Sequence, residues 1–333
     1  MRHLTLATTL ACAAAMPLSA EVNIYSARQP ELIQPMLDAF TAETGIAVNI
    51  AFLQDGMIER LKAEGARSPA DIILTVDIAN LSAIVDEGVT QPVVSDVINA
   101  NIPAQFRDPE GDWIGLTSRA RIAYVSNERV AEGELTTYED LADPRWEGRI
   151  CTRSGLHNYN VALVAAFLAH HGEAETLTWL EALKANLARS PQGNDRGQVK
   201  SIWAGECDIS LGNTYYMGKM LEDPEQAEWA NSVHIVFPIF ADSGVHVNLS
   251  GMAMTASAPN YDDALALMEF LTTETAQSLY AELNYEYPLN PAIGPSDVVA
   301  GWGSFTPDAI SLTEISEMRA DAVRLIEQVN FDE

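Results

Sequence analysis

Residues 72–76 read Ile72-Ile73-Leu74-Thr75-Val76, an almost wholly apolar run with no alternation of apolar and polar positions. A strand with one wet face alternates with a period of two. An unbroken run therefore predicts a strand covered on both faces, as in a parallel sheet between layers of helix. The residues before it supply such helices. Val22-Asn23-Ile24-Tyr25 reads as a first strand, and Pro30 suits the first turn of a helix reaching residue 43, with Leu32, Ile33, Met36, Leu37 and Phe40 on one face. A strand over 48–53 and a helix over 58–63 precede the apolar run, and a helix over 81–87 follows it. Strand and helix alternating in this way predict βαβ units.

A second series begins after Ile114, with strands over 121–126, 149–151, 207–211, 233–237 and 251–255. Helices are expected over 159–170, 177–187, 215–221, 261–271 and 275–282. The chain shows no internal repeat, no low-complexity tract and no flexible Gly/Ser linker, so two lobes must be joined by extended strands that cross more than once. The crossings are expected near 117–124 and 237–247. The fold expected is α/β with two lobes: two mixed, mostly parallel sheets flanked by helices, with crossing hinge strands and a cleft that closes by hinge motion. Residues 21–118 form the first part of lobe 1, 119–240 form lobe 2, and 241–300 return mostly to lobe 1. Residues 301–333 form a helical segment packing across both lobes.

The first twenty residues place Arg2 and His3 ahead of an apolar, small-residue stretch ending in Leu18-Ser19-Ala20. That is the pattern of a cleavable secretory signal, and it predicts an exported, periplasmic protein. Leu10-Ala11-Cys12 faintly resembles a lipoprotein cleavage box, with Thr9 where a large aliphatic residue is usual, so anchoring through Cys12 is the minor alternative. No later segment is long and apolar enough to insert into a bilayer. The net charge of −28 repels nucleic acid and anionic membrane. Cys151 and Cys207 are the two cysteines beyond the leader. Their separation excludes metal-clip or redox spacing, and an exported protein matures where disulfides persist, so a Cys151–Cys207 bridge is expected.

In open α/β sheets ligands bind at the carboxyl ends of strands, where helix N-termini also point. Three segments bring unusual side chains there. Arg28 follows the first strand, Tyr159 opens the helix after the strand near Cys151, and Tyr215 and Tyr216 open the helix after 207–211. A lone tyrosine is usually a packed aromatic with a wet hydroxyl. Two adjacent tyrosines at a strand-to-helix turn point different ways, so one faces the cleft. A helix N-terminus favours a phenolate, and a bound multivalent cation removes the proton outright. Phenolate is a hard anionic donor, and three of them neutralise a trivalent cation such as Fe3+. A guanidinium beside that cation fits only if a small planar anion lies between, held by the arginine fork. Arg119 and Arg121 lie two apart on an expected strand, share a face, and offer a second anchor.

Five stretches then carry a family resemblance: Val22-Asn23-Ile24-Tyr25-Ser26-Ala27-Arg28-Gln29, Ser190-Pro191-Gln192-Gly193-Asn194-Asp195-Arg196, Gly205-Glu206-Cys207-Asp208, Gly212-Asn213-Thr214-Tyr215-Tyr216 and His246-Val247-Asn248-Leu249-Ser250-Gly251. In this order they resemble the periplasmic ferric-iron-binding proteins of ABC importers, over nearly the whole chain after the leader. The resemblance implies the periplasmic binding protein fold, a ferric ion in the cleft, and delivery to an inner-membrane permease without catalysis, by a monomer. It implies ligation by Tyr215 and Tyr216 and by a third tyrosine matching Tyr159. Several members carry a histidine just after the first arginine, where this chain has Gln29-Pro30. The chain therefore resembles the subgroup completing the shell with an exogenous anion, carbonate or bicarbonate, anchored on Arg28 with Gln29 beside it. Asp77 lies near where some members place a carboxylate ligand, and is expected, like Asn213, to act behind the ligands.

Two other classes fit the sequence less well. A binding protein for an organic cation such as a polyamine would build an aromatic cage from tyrosines with Trp113, Trp203 or Trp302. Such a cage wants carboxylates and no guanidinium. A secreted hydrolase finds no G-x-S-x-G elbow and no H-E-x-x-H helix. His170-His171 sit in a helix tail before Gly172, and residues 193–201 lack the Gly-Lys adjacency of a phosphate loop.

Overall fold

The computed structural model describes residues 20–53, 56–241 and 243–333. The leader expected over 1–20, with Cys12 inside it, lies outside the described residues except for Ala20. The apolar run forms β3 (Ile72–Thr75), parallel to β1 (Glu21–Ser26), which is in turn parallel to β2 (Ala47–Phe52). Between β1 and β2 runs α1 (Pro30–Thr44), which turns Ile33, Met36, Leu37 and Phe40 inward and ends at Gly45 with φ 76°. The expected face differs only at Leu32, which is half-buried. α1 packs into a core with Val22, Ile24 and Ile72, where each fully buried aliphatic side chain contributes about 1.5–3 kcal/mol. After α2 (Met57–Glu64) and β3, α3 (Ile78–Asp86) starts three residues earlier than expected. Asp77 caps it, its Oδ1 accepting from the backbone N–H of Ala79 at 2.9 Å and of Asn80 at 3.2 Å.

β4 (Thr90–Gln91) and α4 (Asp96–Asn101) lead to β5 (Ile114–Ser126), a strand buried along its whole length. The N-terminal half of β5 pairs antiparallel with β9 (Val247–Thr255) and with β10 (Tyr287–Pro288). Its C-terminal half pairs antiparallel with β7 (Ile209–Asn213) and β8 (Val233–Val236). The partner changes between Ala120 and Arg121. β5 is thus the first crossing, inside the expected 117–124 window, and it divides the molecule into two α/β lobes. The return crossing runs between β8 and β9.

Parallel pairing holds for β1 with β2 and β3, and for β6 (Ile150–Cys151) with β7. The crossing strands enter against the direction of their neighbours, so β9 lies antiparallel to β3 and β5 antiparallel to β7. The sheets are therefore mixed, and "mostly parallel" describes only the β1–β3 edge and the β6–β7 pair.

In the second lobe α5 (Asn158–Ala185) is interrupted at Gly172, φ 76° and ψ 174°, which splits it into the two expected helices. α6 (Asp195–Trp203), α7 (Tyr215–Glu222) and α8 (Ala227–Asn231) cover the sheet. The expected Cys151–Cys207 disulfide is present, tying the end of β6 to the residue pair before β7, with Cα atoms 5.9 Å apart. α9 (Tyr261–Leu271), α10 (Glu274–Asn284) and α11 (Asp297–Ala300) follow β9. α12 (Leu312–Glu317) packs against α3 and α5, and α13 (Arg319–Gln328) packs on α5. Leu312, Ile315, Leu325, Ile326 and Phe331 share one buried cluster with Ile78 and Leu81 of the first lobe and Val161 and Leu163 of the second.

Candidate functional site

β6 and β7 are parallel neighbours, so the helices that follow them begin at the same edge. The local sequence explains both turns. His157 caps α5, its Nδ1 accepting the N–H of Tyr159 at 3.2 Å, and burial, with Arg153 beside it, lowers its pKa to about 4. Asp332, near the C-terminus, accepts from Ser154 Oγ at 2.5 Å and Gly155 N–H at 2.7 Å, and so holds the turn before Tyr159. At the other turn β7 must approach the Tyr124 ring, and a side chain at Gly212 would enter that ring. Tyr124 Oη then donates to the carbonyl of Asn213 at 2.7 Å. Gly218 is required in the same way by the ring of Tyr285. The two glycines that flank the tyrosine pair are both positions of close approach.

The structure brings the three tyrosines together. Tyr159 Oη and Tyr215 Oη are 3.2 Å apart, and the rings of Tyr215 and Tyr216 have centroids 4.3 Å apart. All three are half-buried. Burial first, then the neighbouring phenols Tyr159 and Tyr216, raises the pKa of Tyr215 well above the usual tyrosine value, while Arg119 opposes the rise. Tyr216 is raised likewise, by burial, Tyr159 and Asp195. Among the described residues no group of three His, Cys, Asp or Glu side chains is placed to hold a metal.

Guanidinium groups surround Tyr159. Those of Arg153, Arg121 and Arg119 lie 5.3, 5.8 and 5.9 Å from its ring centroid. Arg121, on β5 and in register with Asn213, donates to Asp195 Oδ2 at 2.9 Å, Asn213 Oδ1 at 3.2 Å and Asn160 Oδ1 at 2.6 Å. The other oxygen of Asp195 accepts from Arg153 at 3.1 Å. Asp195 is fully buried, so this pair of arginines shares one carboxylate beneath the tyrosines. Arg119 donates to Ser250 Oγ at 3.4 Å and to the carbonyl of Val76.

Arg28 lies at the end of β1, 5% exposed, and gives both terminal nitrogens to Glu286. Burial opposes its charge, but Glu286, Tyr280 and Tyr215 outweigh that and raise its pKa. Gln29 is exposed at the start of α1 and makes no side-chain capping bond there. Asp77 spends Oδ1 on the α3 cap and accepts from Asn248 Nδ2 at 3.0 Å through Oδ2, so its contacts are structural. Asn213 is held by Arg121 through Oδ1, and its Nδ2 is buried with no hydrogen-bond partner among the described residues.

Sequence reasoning missed Arg153, Asp195, Asn160, His157 and Glu286. Asp195 stands inside a stretch already quoted, beside Arg196, and Asn160 directly follows Tyr159. Glu286 had no local signal, since its partner Arg28 is 258 positions away. The tryptophans of the aromatic-cage alternative do not gather: Trp113 is in one core cluster, Trp302 packs against another, and Trp203 is exposed. Trp203 lines a surface pocket of about 530 Å³ with Asn127, Arg129 and Asn231 at the far end of β5, away from the tyrosines.

Residues 67–298 match the model of the family described as bacterial extracellular solute-binding protein. The chain is 42% identical to iron uptake protein A1 of a Synechocystis species over 93% of its own length and 87% of that protein's. It is 50% identical in sequence to the apo ferric ion-binding protein A of Pasteurella haemolytica, whose crystal structure it matches with a TM-score of 0.90 over 94% of this chain and 98% of that one. A Trichodesmium IdiA (FutA) protein, solved with iron and citrate ligands, is 37% identical and matches with a TM-score of 0.89 over 94% and 100%.

Proposed function

This chain belongs to the bacterial extracellular solute-binding proteins, and we propose that it captures ferric ion in the cleft between its lobes and hands it to an ABC-type permease in the inner membrane. It acts as a periplasmic monomer released from its leader, and as a carrier rather than an enzyme. The observation that carries the reading is the convergence of Tyr159 and Tyr215, 3.2 Å apart through their hydroxyls, with the ring of Tyr216 tilted against that of Tyr215, after two parallel strands. Ferric ion is the hard trivalent cation that three phenolates neutralise. Relatives named for iron uptake and ferric ion binding support the choice of cargo.

Tyr159, Tyr215 and Tyr216 are the proposed ligands. Arg28, with Arg119, Arg121 and Gln29 nearby, holds a carbonate or bicarbonate that completes the shell. Asp195, joining Arg121 to Arg153, fixes the floor beneath the ligands, and Asn213 belongs to that floor. Lobe 1 comprises 21–118 and most of 241–300, lobe 2 comprises 119–240, and 301–333 packs across both. The change of partner within β5 supports that division.

Titration of the iron-free protein with ferric ion, followed by visible absorbance, tests the reading. Phenolate bound to ferric ion gives a charge-transfer band, and Tyr215→Phe should weaken both band and affinity, the latter by on the order of a hundredfold or more. A wild-type protein that stays colourless and takes up no ferric ion refutes it.

A further inference from the structure

We infer that Glu286 sets how tightly the cleft takes an exogenous anion, by competing with that anion for the guanidinium of Arg28. The inference rests on the reading of Arg28 as the anion's anchor. Glu286 is 3% exposed and stands between α10 and β10. It accepts Arg28 Nη1 at 3.1 Å through Oε1 and Arg28 Nη2 through Oε2, the two-point geometry a planar carbonate or carboxylate would seek from the same fork. Thr117 Oγ1 donates to Oε2 at 2.9 Å and so holds the carboxylate in register. Arg28 Nη1 also reaches Ser250 Oγ at 3.3 Å. Arg28 Nε is buried and makes no hydrogen bond among the described residues.

An incoming anion has two routes. It takes Nε while Glu286 keeps the fork, or it displaces Glu286 from the fork. In both, a like charge lies beside it in a buried setting, and such a charge opposes its binding. Glu286 is thus a positioning residue. It keeps Arg28 charged and pointed at the cleft, and it raises the anion concentration the site needs.

The test compares wild type with Glu286→Gln, which keeps shape and removes charge. Ferric affinity is measured by visible absorbance at fixed pH across a series of bicarbonate concentrations. The half-effective bicarbonate concentration should fall by about tenfold in the variant, the scale on which one close charge acts. A wild type insensitive to bicarbonate beside a sensitive variant also supports the inference. A folded variant with the wild-type bicarbonate curve overturns it while leaving ferric capture standing. Ferric binding independent of bicarbonate in both proteins overturns it together with the anion reading, and absence of the ferric band in wild type overturns the ferric reading itself. Should Glu286→Gln fail to fold, Thr117→Val, which loosens the carboxylate without touching its charge, should move the curve in the same direction by a smaller factor, and an unmoved curve there overturns the inference.

Discussion

The phenols of Tyr215 and Tyr216 are protonated at neutral pH because burial and the neighbouring hydroxyls raise both pKa values. Each that ligates a cation must therefore give up its proton, and ferric affinity should rise with pH by about tenfold per unit for every phenol deprotonated. Ferric uptake in a weakly buffered solution should acidify it, and Tyr216→Phe should release about one proton fewer per ion. Equal proton release by the two proteins would remove Tyr216 from the shell. His246 makes a separate residue-scale prediction about stability. Burial, with Asp308 acting in the opposite sense, lowers its pKa from 6.5 to about 3, so the folded chain holds it neutral while the unfolded chain protonates it near 6.5. The unfolded state then binds more protons, and stability falls as pH drops through the window between about 6.5 and 3, by up to about 1.4 kcal/mol per unit. His246→Gln lacks that term. In urea unfolding, the stability gap between wild type and variant at pH 7 should shift in the variant's favour by about 2 kcal/mol at pH 5; a constant gap contradicts the assignment.

At the scale of elements, α7 carries two of the proposed ligands on its first turn and meets the first lobe on its second. Gly218 lies against the ring of Tyr285, Lys219 Nζ donates to the carbonyl of Leu283 at 2.7 Å, and Lys219 stands 5.4 Å over the same ring. Tyr285 itself adopts φ 57°, a left-handed conformation that ends α10 and turns the chain into Glu286 and β10. Gly218→Ala must push α7 or the ring aside, which costs about 1–3 kcal/mol. Thermal unfolding should show the loss, and ferric affinity should fall although no ligand was changed. Unchanged stability and affinity would mean that the helix and ring separate freely.

Elements were legible where the pattern is local. β3 emerges from 72–76 because both its faces are covered, α9 matches the helix expected over 261–271, and the helices expected over 159–170 and 177–187 fall either side of the break at Gly172. β5 is expected over 117–126, and its opening residues Ile114-Gly115-Leu116 are not, because the strand partners there, Met252 and Gly251, are far away in sequence. The antiparallel pairing of the crossing strands is hidden for the same reason, since strand direction depends on a partner distant in sequence, as Asn213 is from Arg121. The site divides along the same line. Tyr215 and Tyr216 announced themselves as neighbours at one turn, whereas the Arg28–Glu286 and Arg121–Asp195 pairs exist only once the chain has folded.

The whole molecule has its three proposed protein ligands on one side of the cleft. Tyr159, Tyr215 and Tyr216 all follow strands of the β6–β7 edge, while Arg28 follows β1 in the other lobe and is held there by Glu286 on the approach to β10. Ferric ion bound to tyrosines alone would load the second lobe without drawing in the first. On the proposed reading the link between lobes is the anion, bonded to the metal on one side and to Arg28 on the other, with β5, the return crossing and α12 as the standing connections. Ferric binding to wild type should reduce the radius of gyration in solution scattering. Arg28→Gln, with its fold checked by circular dichroism, should still develop the charge-transfer band at higher ferric concentration yet show little or no compaction. Closure in that variant equal to wild type would place the force that joins the lobes elsewhere than on Arg28. Loss of the band together with closure would make Arg28 necessary for loading itself. Colour without compaction separates loading, which belongs to the phenols, from closing, which belongs to the charge across the cleft.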